Sequence, residues 1–481
     1  MQSGFAAGYA DYYLDYIEVL LELRRNDQAF HVLERSRARG LLAMLAERDL
    51  VFADVPDDLE PERRRTDQEY DRAQGQIREW NADKGAPELE AQLARLRELR
   101  ARQEEIAEQV RKASPRLAAL QYPQPLDLNG AAQALDPGTL LLEYAVGKEK
   151  TFLFAIPRTT PGSRDDQGSG HHDPSLQTFR IDVSEAELRR EIERFRNLIE
   201  RKKPLPRKLF DLLLGPAVPL IASSQRILIA PDGPLHLLPF AALTDGKRYL
   251  AEWKPVHTVI SATVYAELKQ RAAERPVAPE IRLAAFGDPR YPRAGPGAPD
   301  GVEKAGNAEV RALLQRGAAF EPLPATRTEV EAITTLYGPA ARTFLGDAAS
   351  EENAKSIGKD VRHIHFASHG FLDERFPLDS ALALTIPDEP RKGRENGLLQ
   401  AWEIFERVRI DADLVTLSAC ETALGKEMGG EGLVGLTRAF QYAGARSVLA
   451  SLWSVADEST GELMKRFYST ASNVGCSPPC S

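Results

Sequence analysis

The chain has 481 residues, of which 43% are hydrophobic and 28% charged, and a formal net charge of -9. That length allows roughly two to four globular domains, and the acidic balance excludes a broad nucleic-acid-binding surface. No apolar run approaches the roughly twenty residues of a membrane span, the N-terminal MQSGFAAGYADYY has no secretory pattern, and three cysteines fit a reducing, cytoplasmic setting better than a disulfide framework.

Tyr9, Tyr13, Ile17 and Leu20 recur three or four apart. Ala29, Val32, Leu33, Leu41 and Leu45 form a second stripe after the polar break Arg24–Asp27, so two helices joined by a short turn are expected. They resemble the last pair of a tetratricopeptide-like repeat array. One pair cannot bury both its faces, so either more repeats precede it in a longer protein or it docks on the segments after it. Asp54–Pro61 is a break. Beyond it Tyr70, Ala73, Ile77 and Trp80, and then Leu89, Leu93, Leu96, Ile106 and Val110, keep seams on either side of Gly85-Ala86-Pro87. This is the pattern of a charged helical hairpin.

After Pro115–Pro125 the pattern turns strand-like. Thr139–Ala145 and Thr151–Ile156 flank Gly147–Lys150 as a β-hairpin. Thr159–Pro174, which contains His171 and His172, reads as a loop. Ser184 and Glu187 have capping-box spacing ahead of a helix carrying Leu188, Ile192, Phe195 and Ile199. Arg226–Ala230 is a buried-type strand ending in the turn Pro231-Asp232-Gly233, and His236 just beyond it reads as a structural histidine. From Pro276 onward strands alternate with helices, which implies an α/β sheet with parallel strands. The strands expected are Ile281–Phe286, Arg342–Leu345, Asp360–Ala367, Ala381–Ile386, Leu414–Ala419 and Ser447–Trp453. Helices are expected at Thr328–Tyr337, Ser350–Ile357 and Leu433–Tyr442, the last with Gly444 at its C-cap. Asp388–Asn396 and the glycine-rich Gly425–Gly432 are loops.

Two of these strands run out at reactive residues, His369 and Cys420. They lie about fifty residues apart, close to the His-to-Cys interval of caspases. In open α/β sheets functional groups gather beyond the carboxyl ends of strands. Backbone N–H groups after Cys420 and a nearby imidazole favour the thiolate, which is a good nucleophile. The N–H groups of Gly370 and Cys420 can form an oxyanion hole. Taken singly, each residue has a plain structural reading: Cys420 as a small buried hydrophobe, His369 as a loop histidine bonded to backbone. Their combination at two strand ends favours chemistry. His363 and His365 share a strand face near His369 and, with Cys420, offer a zinc ligand set. Strand alternation turns those two into the sheet face, away from the strand end, so no metal is expected. Cys476 and Cys480 are read as tail residues.

The segments HIHFASHG, ADLVTLSACETALG and GEGLVGLTRAFQYAGARSVLASLWSVAD, with the FY pair at Tyr468, resemble the CHAT domain, a caspase- and separase-like cysteine peptidase module. ILIAPDGPLHLLPFAAL, AAFGDPRY and PLPATRTEVEAI resemble earlier segments of the same family, so the resemblance covers most of the chain from about Leu126 to Tyr468. CHAT domains are typically preceded by tetratricopeptide repeats, an arrangement that AFHVLERSRARGLLAML fits. The resemblance implies a caspase-like, mostly parallel sheet flanked by helices, preceded by a noncatalytic caspase-like half and an N-terminal helical region. It implies His369 as general base and Cys420 as nucleophile. It further implies that Asp457, in LWSVAD, receives a basic side chain on the substrate; capping of the following helix is the alternative. Glu431 is a second acidic candidate. Family members continue past the FY pair with another helix, whereas Pro478-Pro479 cannot continue one. A chain cut or altered there, with one sheet face less covered, is the expectation.

The expected organisation is a helix pair at 1–53, a charged hairpin at 54–122, a noncatalytic subdomain at 123–275 and a catalytic subdomain at 276–481. The expected function is that of a cysteine endopeptidase without metal or organic cofactor. It would cleave a protein or peptide substrate after a basic residue, with a regulatory protein partner at the N-terminal helices and Arg391-Lys392 as a candidate for self-cleavage. Neither nucleic acid nor a membrane is an expected partner. The alternative is a catalytically silent interaction scaffold of the same fold.

Overall fold

The computed structural model describes residues 3–46, scattered positions between 62 and 109, and then 125–158, 176–273, 281–291, 320–373, 377–387, 395–423, 431–451 and 457–473. The chain divides into two compact units, one of Met1–Arg37 with Pro125–Ser481, the other of Ala38–Gln124. Within the second unit Glu69 pairs with Arg95 at 2.6 Å and Glu62 with Arg102, so the two arms pair in antiparallel order, and Leu99 and Ile106 are buried. Among the described residues no helix is long and apolar enough to cross a membrane.

The first unit begins with α1 (Ser3–Glu22) and α2 (Asn26–Ala46). Its first sheet contains β1 (Thr139–Val146), β2 (Thr151–Pro157), β3 (Gln177–Ile181), β4 (Arg226–Ala230) and β5 (Val256–Thr258), in the order β3-β2-β1-β4-β5. β1 pairs antiparallel with β2 and parallel with β4. Its residues alternate between two cores, as a strand covered on both faces must. Leu140, Leu142, Tyr144 and Val146 meet Leu188, Ile192 and Phe195 of α3 (Glu185–Glu200). The Ser184 hydroxyl caps α3 by accepting the Glu187 N–H at 3.1 Å. Leu141 and Ala145 meet Ile17, Phe30 and Leu33 from the helix pair and Ala262 of α4 (Ala262–Ala273). The helix pair therefore docks on the first sheet and α4.

Two charged side chains of α2 fasten that docking. Arg37 donates to the carbonyls of Tyr144 at 2.7 Å, Ile260 at 2.8 Å, Pro231 at 2.9 Å and Ala230 at 3.1 Å, near the carboxyl ends of β1, β5 and β4. Glu34 accepts the backbone N–H of Ala262 at 3.2 Å and of Thr263 at 2.8 Å, at the start of α4. Buried Glu143 shares the Ala262 N–H at 2.9 Å.

The second sheet contains β6 (Ile281–Gly287), α5 (Pro324–Tyr337) packed beside it, β7 (Ala341–Leu345), α6 (Glu351–Lys355), β8 (Val361–Leu372), β9 (Ala381–Ala383) and β10 (Leu398–Gln400). It closes with α7 (Ala401–Arg407), β11 (Leu414–Ala423), α8 (Glu431–Ala443), β12 (Ser447–Ala450) and α9 (Asp457–Asn473). β7, β6, β8, β11 and β12 are neighbours in parallel pairs, while β9 and β10 pair antiparallel off the end of β8. The sheet is thus mixed rather than purely parallel. One face carries α5 and α9 over Leu283, Ala285 and Ala367, with Val330, Ile333, Met464 and Tyr468. The other carries α7 and α8, where Phe366 meets Phe440 at 5.7 Å and Phe405 meets Tyr442 at 5.3 Å. Gly444 ends α8 at a φ of 123°, and a Cβ there would stand 1.9 Å from the Ile410 carbonyl oxygen, so glycine is required.

Several strand ends correct the sequence reading. β8 does not stop at Ala367, nor β11 at Ala419. They stay paired through Leu372 and Ala423, and β9 adds partners at His369, Gly370 and Phe371. The two ladders satisfy backbone groups that a lone strand would leave bare, which is why polar residues continue as strand. The strand from Ala381 is shorter than expected, ending at Ala383.

Candidate active site

His369 and Cys420 therefore lie inside long strands, close to their carboxyl ends, rather than just past them. In the parallel β8–β11 ladder they occupy the same register position, Cα opposite Cα, with Gly370 opposite Glu421 one step on. His369 is 7% exposed. Its ring is mounted by groups from two other segments. Nε2 lies 2.7 Å from the carbonyl oxygen of Glu321, just ahead of α5. A carbonyl only accepts, so Nε2 carries the proton and Nδ1 is the basic nitrogen. Nδ1 is buried and has no hydrogen-bond partner among the described residues. The His369 N–H donates to the Tyr291 hydroxyl at 3.3 Å, and that hydroxyl donates to the Ala383 carbonyl at 2.8 Å. The Tyr291 ring lies 5.1 Å from the imidazole, and Phe320 and Phe371 complete the aromatic wall. Burial pushes the Tyr291 hydroxyl far above its ordinary range, so it stays protonated and able to donate.

The two other histidines of the strand have separate partners. His363 Nδ1 meets the Tyr337 hydroxyl at 2.7 Å, and burial lowers its pKa. His365 Nε2 stands 2.9 Å from Glu329 Oε1. Glu431 is the first residue of α8 and Asp457 the first of α9. His171, His172, Arg391, Lys392, Cys476 and Cys480 lie outside the described residues.

Residues 203–477, which carry this geometry, match the CHAT domain. The chain belongs to the CHAT domain family. The matched span runs from just after α3 to just past α9, so it takes in β4, β5 and the whole second sheet. The caspase-like character of CHAT domains agrees with that sheet, its central strands parallel and its faces covered by helices. The chain is also similar to tetratricopeptide repeat protein 28 of Homo sapiens, 24% identical over 312 residues, and to the protein of the same name from Mus musculus, 26% identical over 312 residues. Each match covers 56% of this chain and 12% of the relative, so the chain spans only a small part of those proteins.

Sequence reasoning missed Glu321 and Tyr291. Glu321 acts through its backbone carbonyl, which leaves no mark on residue type. Tyr291 lies in AAFGDPRY, a segment that stands out by family resemblance alone. A buried ionic cluster beside the CHAT sheet was also missed. Lys355 Nζ lies 2.5 Å from Glu351, 2.6 Å from Glu395 and 2.7 Å from Glu403. Glu351 also accepts the N–H groups of Asn396 and Gly397 at 2.8 Å each, fixing the return into β10. Burial and neighbouring Glu403 push Glu351 up to about 8.

Proposed function

We propose that this CHAT domain is a cysteine endopeptidase in which His369 Nδ1 takes the thiol proton of Cys420. The observation that carries the reading is the shared register position of His369 and Cys420. The Nε2 contact to Glu321, which leaves Nδ1 as the basic nitrogen, supports it. The thiolate attacks the scissile carbonyl, and the N–H groups of Gly370 and Cys420 hold the oxyanion. His369 returns its proton to the departing amine as the C–N bond breaks, leaving a thioester. Water, deprotonated by His369, then releases the acid and restores the thiol. Asp457 receives a basic substrate side chain, with Glu431 as a second carboxylate near the site. The reaction draws on no metal or organic cofactor. The N-terminal helix pair receives a regulatory protein partner, in keeping with relatives named for tetratricopeptide repeats.

The test is labelling with a thiol-reactive peptide ending in arginine. Cys420 is expected to be labelled in the wild type. His369→Ala is expected to slow labelling by about 10²–10⁴-fold. Asp457→Ala is expected to remove the arginine preference. A folded wild-type protein that stays unlabelled, with its partner supplied, would make the chain a scaffold of the same fold.

A further inference from the structure

Beneath His369 and Cys420, the two strands that carry them are joined by a buried carboxylate from α5. Glu329 is 4% exposed. Its Oε1 accepts the Ser418 hydroxyl on β11 at 2.7 Å and stands 2.9 Å from Nε2 of wholly buried His365 on β8. The Glu329–His365 contact is one of proximity rather than an aligned hydrogen bond. Beyond His365 the polar chain continues: Nδ1 lies 3.4 Å from the Tyr468 hydroxyl of α9, which pairs with Thr416 at 2.8 Å. His365 and His369 belong to the same alternating set along β8, as Ser418 and Cys420 do along β11. At about 3.3 Å per residue, the carboxylate lies roughly 7–13 Å below the pair along the strands.

The polar groups that reach it are His365 from β8, Ser418 from β11 and Tyr468 from α9, with Gly461 of α9 also against its side chain. Further along β8, His363 pairs with Tyr337 and feels the charges of Asp413, Arg282 and Arg362. Among the described residues neither lysine nor arginine forms an ion pair with Glu329. A protein interior screens such a charge far less than water does.

Resting on the peptidase reading above, we infer that Glu329 is a positioning residue: its carboxylate ties β8 to β11 beneath His369 and Cys420 and sets the pH range over which the pair reacts. A buried negative charge disfavours the thiolate and favours the imidazolium. It therefore moves both limbs of the pH–rate profile upward.

The experiment is the pH dependence of Cys420 labelling by the arginine-ended probe on the full chain. Glu329→Gln keeps the size and the acceptor for Ser418 but removes the charge. Both limbs are expected to move to lower pH by about one unit. Ser418→Ala, a small change that leaves the carboxylate in place, is expected to slow labelling about tenfold with the limbs unmoved. A Glu329→Gln profile that superimposes on the wild type overturns the inference while leaving the peptidase reading intact, and so does an undiminished rate in Ser418→Ala. Absence of wild-type labelling at every pH overturns both.

Discussion

The Nε2 proton of His369 is held by the backbone carbonyl of Glu321, 2.7 Å away and 48 residues earlier in the chain. This bond chooses the tautomer, and with it which ring nitrogen is free to act as a base. A backbone carbonyl cannot be removed by substitution, so the mount is best probed through its second support.

Tyr291→Phe keeps the ring 5.1 Å from the imidazole but removes the hydroxyl that joins the His369 N–H to the Ala383 carbonyl. Two backbone groups lose a partner, at an expected cost of about 2 kcal/mol. Urea denaturation is expected to show a lower midpoint with an unchanged slope. An unaltered midpoint would show that solvent replaces the hydroxyl.

Lys355→Met leaves buried Glu351 and Glu403 facing each other, while Glu395 keeps Arg407, 3.2 Å from its Oε1, as its one remaining cation among the described residues. Breaking such a cluster on one side is expected to cost about 3–5 kcal/mol at pH 8. Glu351, at about 8, is already raised by burial and Glu403, so the folded state holds its proton more tightly than the unfolded chain. The stability this contributes is present at low pH and lost as pH rises through about 8. The deficit of the variant is therefore expected to shrink between pH 8 and pH 5.5, by parallel denaturation curves.

His236 is lowered from 6.5 to about 3, first by burial and then by the Arg438 and Arg37 charges. The folded state binds its proton less readily than the unfolded chain, so stability falls as pH drops from 6.5 toward 3. For this group alone the slope approaches about 1.4 kcal/mol per pH unit. His236→Gln is expected to flatten that part of the stability profile, as followed by thermal melts. An unchanged acid limb would assign the loss to other groups.

Arg37→Met removes the guanidinium that four carbonyls at the ends of the first sheet share. Burial and Glu34 already raise buried Glu143, and Arg37 is the cation that opposes them. A loss of about 3–5 kcal/mol is expected, with faster amide exchange in β1, β4 and α2. Exchange that stays slow in α2 would show that Ile17, Phe30 and Leu33 hold the helix pair without it.

Much of the fold was legible in the residues. The hairpin of β1 and β2, the strand Arg226–Ala230, the Ser184 cap and the α5 and α8 helices follow from local periodicity, capping chemistry and turn residues, each set within a few positions of one another. His369 and Cys420 stood out because each closes an apolar run with a reactive side chain.

Sequence alone marked β1, β2, β4, β6, β7, β8, β9, β11 and β12 as strands, though not β3, β5 or β10, and it showed where the two reactive residues fall and which family the pattern resembles. Tertiary structure decided that β8 and β11 align His369 with Cys420, that Glu321 and Tyr291 hold the ring, that α2 fastens the first sheet through Arg37, and that Lys355 gathers three carboxylates. The reason is physical. Register is set by the meeting of two strands. A carbonyl acceptor has the same chemistry in every residue. A buried charge is explained only by partners that the fold brings from 40 to more than 200 residues away.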